Sequence, residues 1–228
     1  MHSLKPIPRT KTGLLLLIGL SAFLFGTGNN SMAKDILAGQ KLAVMPCRLG
    51  KAMPQTAAAK KQIIDCTLSE LCYLEGDPLA DSADIITDLV QQELQRRYDQ
   101  DVLPLKNVQA QFDPHPETPD ETLRDMAVRL GKKLGVDYVV ASTLWRFDER
   151  EGSSSGVQKP ASVAFAVFLV KVSDGKVAWQ DTFNKTQAPL SENLLDAGLY
   201  MKKGLHWLTA QQYAEYGIET MFAGFLGK

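Results

Sequence analysis

A pentapeptide at residues 152–156, Gly-Ser-Ser-Ser-Gly, matches the G-x-S-x-G pattern of serine hydrolases. In that chemistry the central serine, here Ser154, lies on a strained turn between a strand and a helix, and an acid and a histidine follow along the chain. Strand-like patterns flank the pentapeptide on both sides, and the only histidine after it is His206. We therefore interpret residues 152–156 as a flexible turn between two strands.

Acidic side chains cluster beside this turn, at Asp148, Glu149 and Glu151. Carboxylates that converge in a cleft, with at least one raised pKa, would indicate a hydrolase. Arg146 and Arg150 alternate with these acids, and consecutive residues of a strand point to opposite faces. We favour a solvated, charged hairpin tip, and the hydrolase remains the alternative interpretation.

The sequence contains no glycine-rich phosphate loop, no His-Glu metal motif and no Cys-x-x-Cys pair. We therefore predict no catalytic residue, no cofactor and no metal site. Trp145 and Phe147 are expected on the same face of one strand. Core packing is the favoured role for them, ahead of an exposed binding patch, because aromatic side chains supply much of the buried area of a small domain.

The amino terminus has the three regions of a secretory signal in their usual order. Lys5, Arg9 and Lys11 precede an apolar run over residues 13–25, and residues 31–33 read Ser-Met-Ala. This pattern predicts export to the periplasm with cleavage between Ala33 and Lys34, and a retained membrane anchor is the alternative. No cysteine lies near the cleavage site, so the lipid attachment of a bacterial lipoprotein has no acceptor there.

Removal of residues 1–33 changes the charge of the chain. The remaining residues 34–228 contain 22 Lys and Arg against 26 Asp and Glu. This mildly acidic balance provides no electrostatic basis for binding nucleic acid or an anionic membrane, so we expect no nucleic-acid partner and at most peripheral membrane contact. A chain of this length buries enough surface for a single domain, which we predict over residues 34–228.

Three cysteines enter an oxidising compartment if the chain is exported. Cys66 and Cys72 are close in sequence, and the chain between them allows the approach that a disulfide requires. Zinc would need a fourth ligand, and His115 and His206 stand alone. We predict a Cys66–Cys72 disulfide that braces the long connection over residues 48–79. Cys47 is then expected to stay reduced and buried at the end of a strand, whereas a helix across residues 67–72 would prevent the bridge.

The periodicity of apolar residues predicts an α/β (α+β) fold built around residues 130–187, where a helix leads into a meander of three strands. We predict the order β-α-β-α-β-β-β-α-α and one mixed sheet with helices packed on it. Gly135 is expected to cap the helix that precedes the meander. On the last strand, Val177, Trp179 and Phe183 are expected to share one face. The predicted strands cover residues 42–46, 101–105, 136–147, 162–172 and 177–183, and the predicted helices cover residues 81–98, 118–134, 194–204 and 209–225.

With these elements in place, the stretch Leu-Gly-Lys-Lys-Leu-Gly-Val-Asp-Tyr-Val-Val-Ala at residues 130–141 resembles a known helix–strand junction. It is similar to that of the group containing CsgG-type curli secretion lipoproteins, LpoB-type activators of penicillin-binding proteins and the TolB amino-terminal domain. The resemblance covers residues 41–187. It implies a compact α/β envelope module that binds other proteins, with no catalytic residues to transfer. Residues 190–210 also resemble uncharacterised bacterial lipoproteins.

These patterns favour a non-enzymatic periplasmic accessory protein that docks onto an envelope machine through a protein partner. The first alternative is an envelope hydrolase that uses the acidic hairpin tip. The second is a periplasmic protein that binds a small ligand, for which the sequence provides no pocket signature.

Overall fold

The computed structural model of the protein describes residues 37–50, 63–65, 80–189, 204 and 206–226. The predictions for Ala33, Lys34, Cys66 and Cys72 lie outside these residues, as does most of the helix predicted over residues 194–204. The strands are β1 (Leu42–Val44), β2 (Arg48–Leu49), β3 (Tyr138–Asp148), β4 (Glu151–Gly152), β5 (Val157–Lys159), β6 (Ser162–Lys171) and β7 (Val177–Thr186). The helices are α1 (Ala80–Tyr98), α2 (Leu105–Gln111), α3 (Leu123–Leu134) and α4 (Ala210–Leu226), with 3₁₀ turns at Ile63–Asp65 and Asp99–Asp101.

A mixed sheet with the strand order β1-β3-β6-β7 forms the centre of the fold, and β2 also pairs with β3. β1 and β2 run parallel to β3, whereas β3, β6 and β7 form an antiparallel meander. β4 and β5 form a separate short hairpin between β3 and β6. The predicted mixed sheet with a carboxy-terminal meander is therefore confirmed.

Helices cover both faces of the sheet, which explains why β6 is almost wholly apolar. On the first face, α1 and α4 pack against the odd-numbered residues of β6, such as Phe165 and Val167. On the second face, α2 and α3 pack against even-numbered residues, such as Phe168 and Val170. Within the described residues, no helix is both long and apolar enough to cross a membrane.

Two β-bulges place side chains of β3 and β7 on other faces of the sheet than the sequence predicts. One extra residue in a strand moves every later side chain to the opposite face. The register of β3 against β6 shifts between Leu144 and Arg146. Trp145 therefore packs into the second-face core and Phe147 against the first-face core, so the prediction that they share a face is wrong.

The same effect operates in β7, whose register against β6 shifts between the partners of Leu169 and Val170. Val177 lies beside the second-face core, whereas Trp179 and Phe183 pack on the first-face core. The prediction of one shared face for these three residues is correct only for Trp179 and Phe183.

The structure has no strand over the described residues 101–105, where the sequence predicts one. It has one isolated parallel bridge there, between Leu42 and Val102. The amide of Leu103 also donates to the oxygen of Leu42 at 2.8 Å. Pro104 then starts a helical turn, since its fixed φ suits the residue before a helix, and α2 begins at Leu105. The sequence pattern does not predict α2.

Local capping motifs define both ends of α3 and the start of α4. α3 begins after Thr122, which forms a capping box with Asp125, so the predicted start at Thr118 is wrong by one turn. Gly135 ends α3 in the left-handed conformation at φ 65°, as predicted. Thr209 and Gln212 form the predicted capping box of α4: the Gln212 amide donates to Thr209 Oγ1 at 3.2 Å, and the Thr209 amide donates to Gln212 Oε1 at 3.0 Å.

Candidate protein-interaction surface

The β4–β5 hairpin ends in a tight turn that the serines stabilise themselves. The amide of Ser153 donates to the oxygen of Gly156 at 2.8 Å. Ser153 Oγ accepts from the amides of Ser155 and Gly156 at 3.3 and 3.2 Å. The G-x-S-x-G pattern therefore lies in a strand-to-strand turn, as predicted, and not at the strand-to-helix elbow of a hydrolase.

The hairpin does not project freely; it docks on the segment that precedes α4. The amide of Trp207 donates to the oxygen of Ser154 at 2.9 Å. Arg150 Nη1 donates to the oxygen of Trp207 at 2.8 Å. These bonds bring Ser154 close to His206 in space, yet among the contacts of the described residues no hydrogen bond joins the Ser154 hydroxyl to the His206 ring.

Glu149 is part of the same connection, and it acts as a helix cap. Its Oε2 accepts from the amide of Ala210, the first residue of α4, at 3.1 Å. Its Oε1 accepts from the amide of Arg150 at 2.9 Å. A carboxylate at a helix amino terminus satisfies an unpaired amide and complements the helix dipole. Both oxygens of Glu149 therefore have structural partners, and its carboxylate does not form the catalytic pair of the hydrolase hypothesis.

Gln187 holds the other side of the segment from within the core. Its side chain is 2% exposed. Its Oε1 accepts from the amide of Leu208 at 2.8 Å, and its Nε2 donates to the oxygen of His206 at 3.1 Å. Leu208 itself is buried in the first-face core. A buried amide with both ends satisfied rigidifies the segment that it joins.

Together, these contacts fix four consecutive main-chain groups: the oxygen of His206, the amide and the oxygen of Trp207, and the amide of Leu208. The side chain of Trp207 nevertheless stays partly exposed. It is also not among the described side chains that pack against either core cluster. We call Trp207, His206 and the turn over residues 153–156 the Trp207 surface.

Arg146 joins three strands of the main sheet, close to where the β4–β5 hairpin leaves it. Its Nε donates to Ser162 Oγ at 2.7 Å, and its Nη2 donates to Asn184 Oδ1 at 2.6 Å. Ser162 Oγ lies 2.6 Å from Thr186 Oγ1. The bulge in β3 aims Arg146 across β6 towards β7. The arginines of the predicted charged tip are thus used to hold the hairpin and its strands in place.

The sequence pattern does not identify Trp207 as a functional residue. The available signals were its position two residues before the Thr209 capping box and the absence of an apolar periodicity around it. The hydrogen bonds from Gln187, Ser154 and Arg150 span between 19 and 57 residues, and no local pattern predicts them.

Cys47 is buried beside α1, in agreement with its predicted environment. Its amide donates to Thr87 Oγ1 at 2.9 Å, and that hydroxyl donates to the oxygen of Ala83. Burial raises the pKa of the Cys47 thiol to about 12. The thiol is therefore protonated and unreactive at neutral pH.

Two open grooves, each of about 500 Å³, lie on the side of α3. Each groove contains an ion pair: Arg129 Nε lies 2.7 Å from Glu121 Oε1 in one, and Arg124 pairs with Asp65 in the other. Within the described residues, no group of three His, Cys, Asp or Glu is arranged to hold a metal ion. Neither groove offers the enclosed apolar lining that is typical of a small-ligand site.

No family model matches this sequence, and a search of curated proteins finds no match. Solved structures that are similar include the PelC dodecamer from Paraburkholderia phytofirmans, at 14% identity over 83% of this chain and 89% of that chain, with a TM-score of 0.45. The LpoB C-terminal domain from Salmonella enterica is similar at 15% identity over 69% and 95% of the two chains, with a TM-score of 0.38. Lipoprotein GNA1162 from Neisseria meningitidis is similar at 14% identity over 72% and 96%, with a TM-score of 0.36. The LpoB type named in the sequence resemblance is thus among the similar structures.

Proposed function

We propose that this chain is a non-enzymatic protein-interaction module of the bacterial cell envelope, and that it docks an envelope protein through the Trp207 surface. The observation that carries the proposal is the fixed main chain of residues 206–208 beneath a partly exposed tryptophan ring. Tryptophan is the side chain most enriched among residues that dominate binding energy. A main chain that is already ordered at residues 206–208 lowers the entropy cost of association.

Sequence features support the location and the class of partner. The signal-like segment over residues 1–33 favours export, and the resemblance of residues 41–187 implies a module that binds proteins. The mildly acidic mature chain does not favour nucleic acid. We propose a periplasmic domain over residues 34–228 with at most peripheral membrane contact.

Photo-crosslinking in intact envelopes tests the docking surface directly. A crosslinking residue at Ser154 is suitable because this side chain is exposed and its carbonyl bonds the amide of Trp207. A matched probe at Asp120, which is exposed in the loop before α3, serves as the control. We expect a discrete protein adduct from position 154 that disappears with Trp207→Ala. An adduct pattern that is the same at both positions, or that Trp207→Ala leaves unchanged, would overturn the proposal.

The processing of the chain is a separate proposal. We propose cleavage between Ala33 and Lys34 and a disulfide between Cys66 and Cys72 in the exported protein. Peptide mass mapping after alkylation of the denatured, unreduced protein should find a new amino terminus at Lys34 and a single labelled cysteine, Cys47. An intact segment 1–33 would indicate an anchored protein, and three labelled cysteines, or a bridge that includes Cys47, would contradict the disulfide.

A further inference from the structure

β7 is the last strand of the sheet, and its outer edge is polar. Within the described residues, no strand pairs with that edge. The amide of Gln187 donates inward to the oxygen of Ala161 at 3.0 Å, and β7 continues from there in unbroken antiparallel register to Trp179. Because hydrogen-bonding directions alternate along a strand, the odd-numbered residues bond to β6. The main-chain groups of the even-numbered residues therefore point outward: Gln180, Thr182, Asn184 and Thr186.

A side chain already occupies one of these outward amides. The amide of Thr182 donates to Asp181 Oδ1 at 2.7 Å. Asp181, Asn184 and Lys185 are exposed, and the bulge beyond Trp179 limits the regular outer edge to residues 180–186. A strand edge of this length that pairs with none of the described strands is a template for pairing with another strand.

The sequence of this edge, Gln-Asp-Thr-Phe-Asn-Lys-Thr, is complementary to itself around Phe183. If two copies pair antiparallel about a two-fold axis at Phe183, Asp181 lies opposite Lys185 of the second copy, and the reverse pair forms by symmetry. Both residues lie on the same face of the strand as Phe183. On the other face, Thr182 lies opposite Asn184, and Gln180 opposite Thr186, so polar residues meet polar residues.

The alternation of main-chain groups and the charges select this register. The outward N–H and C=O groups of one copy face those of the other only when the two-fold axis passes through a residue. An axis between two residues would place even-numbered residues opposite odd-numbered ones. An axis at Asp181 would place two aspartates opposite each other, and an axis at Lys185 would place two lysines together, which is destabilising. Axes at Thr182 or Asn184 leave neither charge opposite its complement. Only the axis at Phe183 pairs both charges and places the outward groups of Thr182 and Asn184 in hydrogen-bonded positions.

We propose that the outer edge of β7 is a homodimer interface, in which two copies of this chain join their sheets antiparallel about Phe183. In the dimer the Thr182 amide bonds to the oxygen of Asn184 of the second copy, and Asp181 turns to the second copy's lysine. The proposal does not depend on the Trp207 surface. It extends the four-stranded order of each sheet into one continuous sheet across two copies.

Sedimentation of the exported chain and its charge variants tests this interface. Asp181→Lys and Lys185→Asp each place two like-charged pairs across the axis, and we expect each to raise the dissociation constant of the dimer by about tenfold or more. An equimolar mixture of the two variants restores opposite charges in both pairs, so we expect it to form a heterodimer. Asp120→Lys makes the same charge change away from β7 and should leave the dimer unchanged.

Hydrogen exchange gives a readout that separates this edge from any other dimer contact. With rising concentration of the wild-type chain, the amides of Thr182 and Asn184 should gain protection, whereas the amide of Phe183 is already protected by β6. A wild-type chain that stays monomeric, single variants that dimerise like the wild type, or a mixture that fails to associate would overturn the proposal.

Discussion

The guanidinium group of Arg150 donates a hydrogen bond of 2.8 Å to the main-chain oxygen of Trp207, 57 residues later in the chain. The neighbouring amide of Trp207 bonds back to Ser154 in the same hairpin. Arg150 and Ser154 belong to the charged tip and the serine motif that suggest catalysis in the sequence. In the structure, both residues hold the main chain of Trp207 in place.

Arg150→Ala removes one of these supports. We expect it to lower the free energy of unfolding by roughly 1 kcal/mol, since the lost bond has a charged donor but is only partly buried. Exchange of the main-chain amides at residues 207 and 208 should also become faster. Urea unfolding and hydrogen exchange measure the two effects. Lys159→Ala, an exposed change in the same hairpin, is the control, and equal stabilities for both variants would contradict the role of Arg150.

Glu149→Ala removes the carboxylate that caps α4. We expect a loss of about 1 kcal/mol in the free energy of unfolding, because the amide of Ala210 loses its acceptor and the helix dipole loses a negative charge. Glu151→Ala removes the same charge two residues along, at an exposed position, and should change stability by less than about 0.5 kcal/mol. If the two variants unfold at the same urea concentration, the capping role is wrong.

Gly217 and Gly224 of α4 differ in the space that the fold leaves around them, so alanine substitutions at the two positions can be compared. A Cβ added at Gly217 would lie 2.8 Å from the ring of Phe183, whereas one added at Gly224 would meet nothing within 4 Å. Gly217→Ala should therefore destabilise the protein by about 1–3 kcal/mol through overpacking of α4 against β7. Gly224→Ala should stabilise it by roughly 0.5–1 kcal/mol, because alanine is the better helix former. Thermal unfolding of both variants gives the comparison, and a stabilised Gly217→Ala would show that α4 is not seated closely on Phe183.

The buried thiol of Cys47 should make stability depend on alkaline pH. Burial raises its pKa from 9.0 to about 12 in the folded protein. Between these values the thiol of the unfolded chain ionises while the folded one stays protonated, so stability falls as the pH rises. We expect the free energy of unfolding to fall more between about pH 8 and about pH 10 in the wild type than in Cys47→Ala. Equal losses in both proteins would show that the Cys47 environment has no such effect.

Local patterns in the sequence predict the parts of the fold that local interactions determine. Gly135 and the Thr209–Gln212 pair are read from residue types at fixed spacing, and the structure places both as expected. The predicted start of α3 is wrong because two threonines compete, and each has an acid three residues later. Glu121 accepts from the Glu117 amide and from Arg129, whereas Asp125 completes the capping box with Thr122.

The errors of side-chain face have a different origin. A bulge adds one residue to a strand, and nothing in the alternation of residues 138–148 or 177–186 marks where it falls. The sequence therefore predicts the strands, but not that Trp145 and Phe147 point to opposite faces. The Trp207 surface depends on hydrogen bonds between residues far apart in the sequence, so it emerges only from the folded chain.

The affinity of Trp207→Ala for the protein crosslinked at position 154 tests the role of the Trp207 surface in docking most directly. The change removes the ring and leaves the four main-chain hydrogen bonds of residues 206–208 in place, so unfolding in urea should remain close to that of the wild type. We expect binding to weaken by about thirtyfold or more, as for a residue that dominates an interface. Trp179→Ala alters the partly buried aromatic cluster of β7 and α4 and should leave the affinity unchanged in the fraction that folds. A folded Trp207→Ala variant that binds as tightly as the wild type would contradict the docking role of the Trp207 surface.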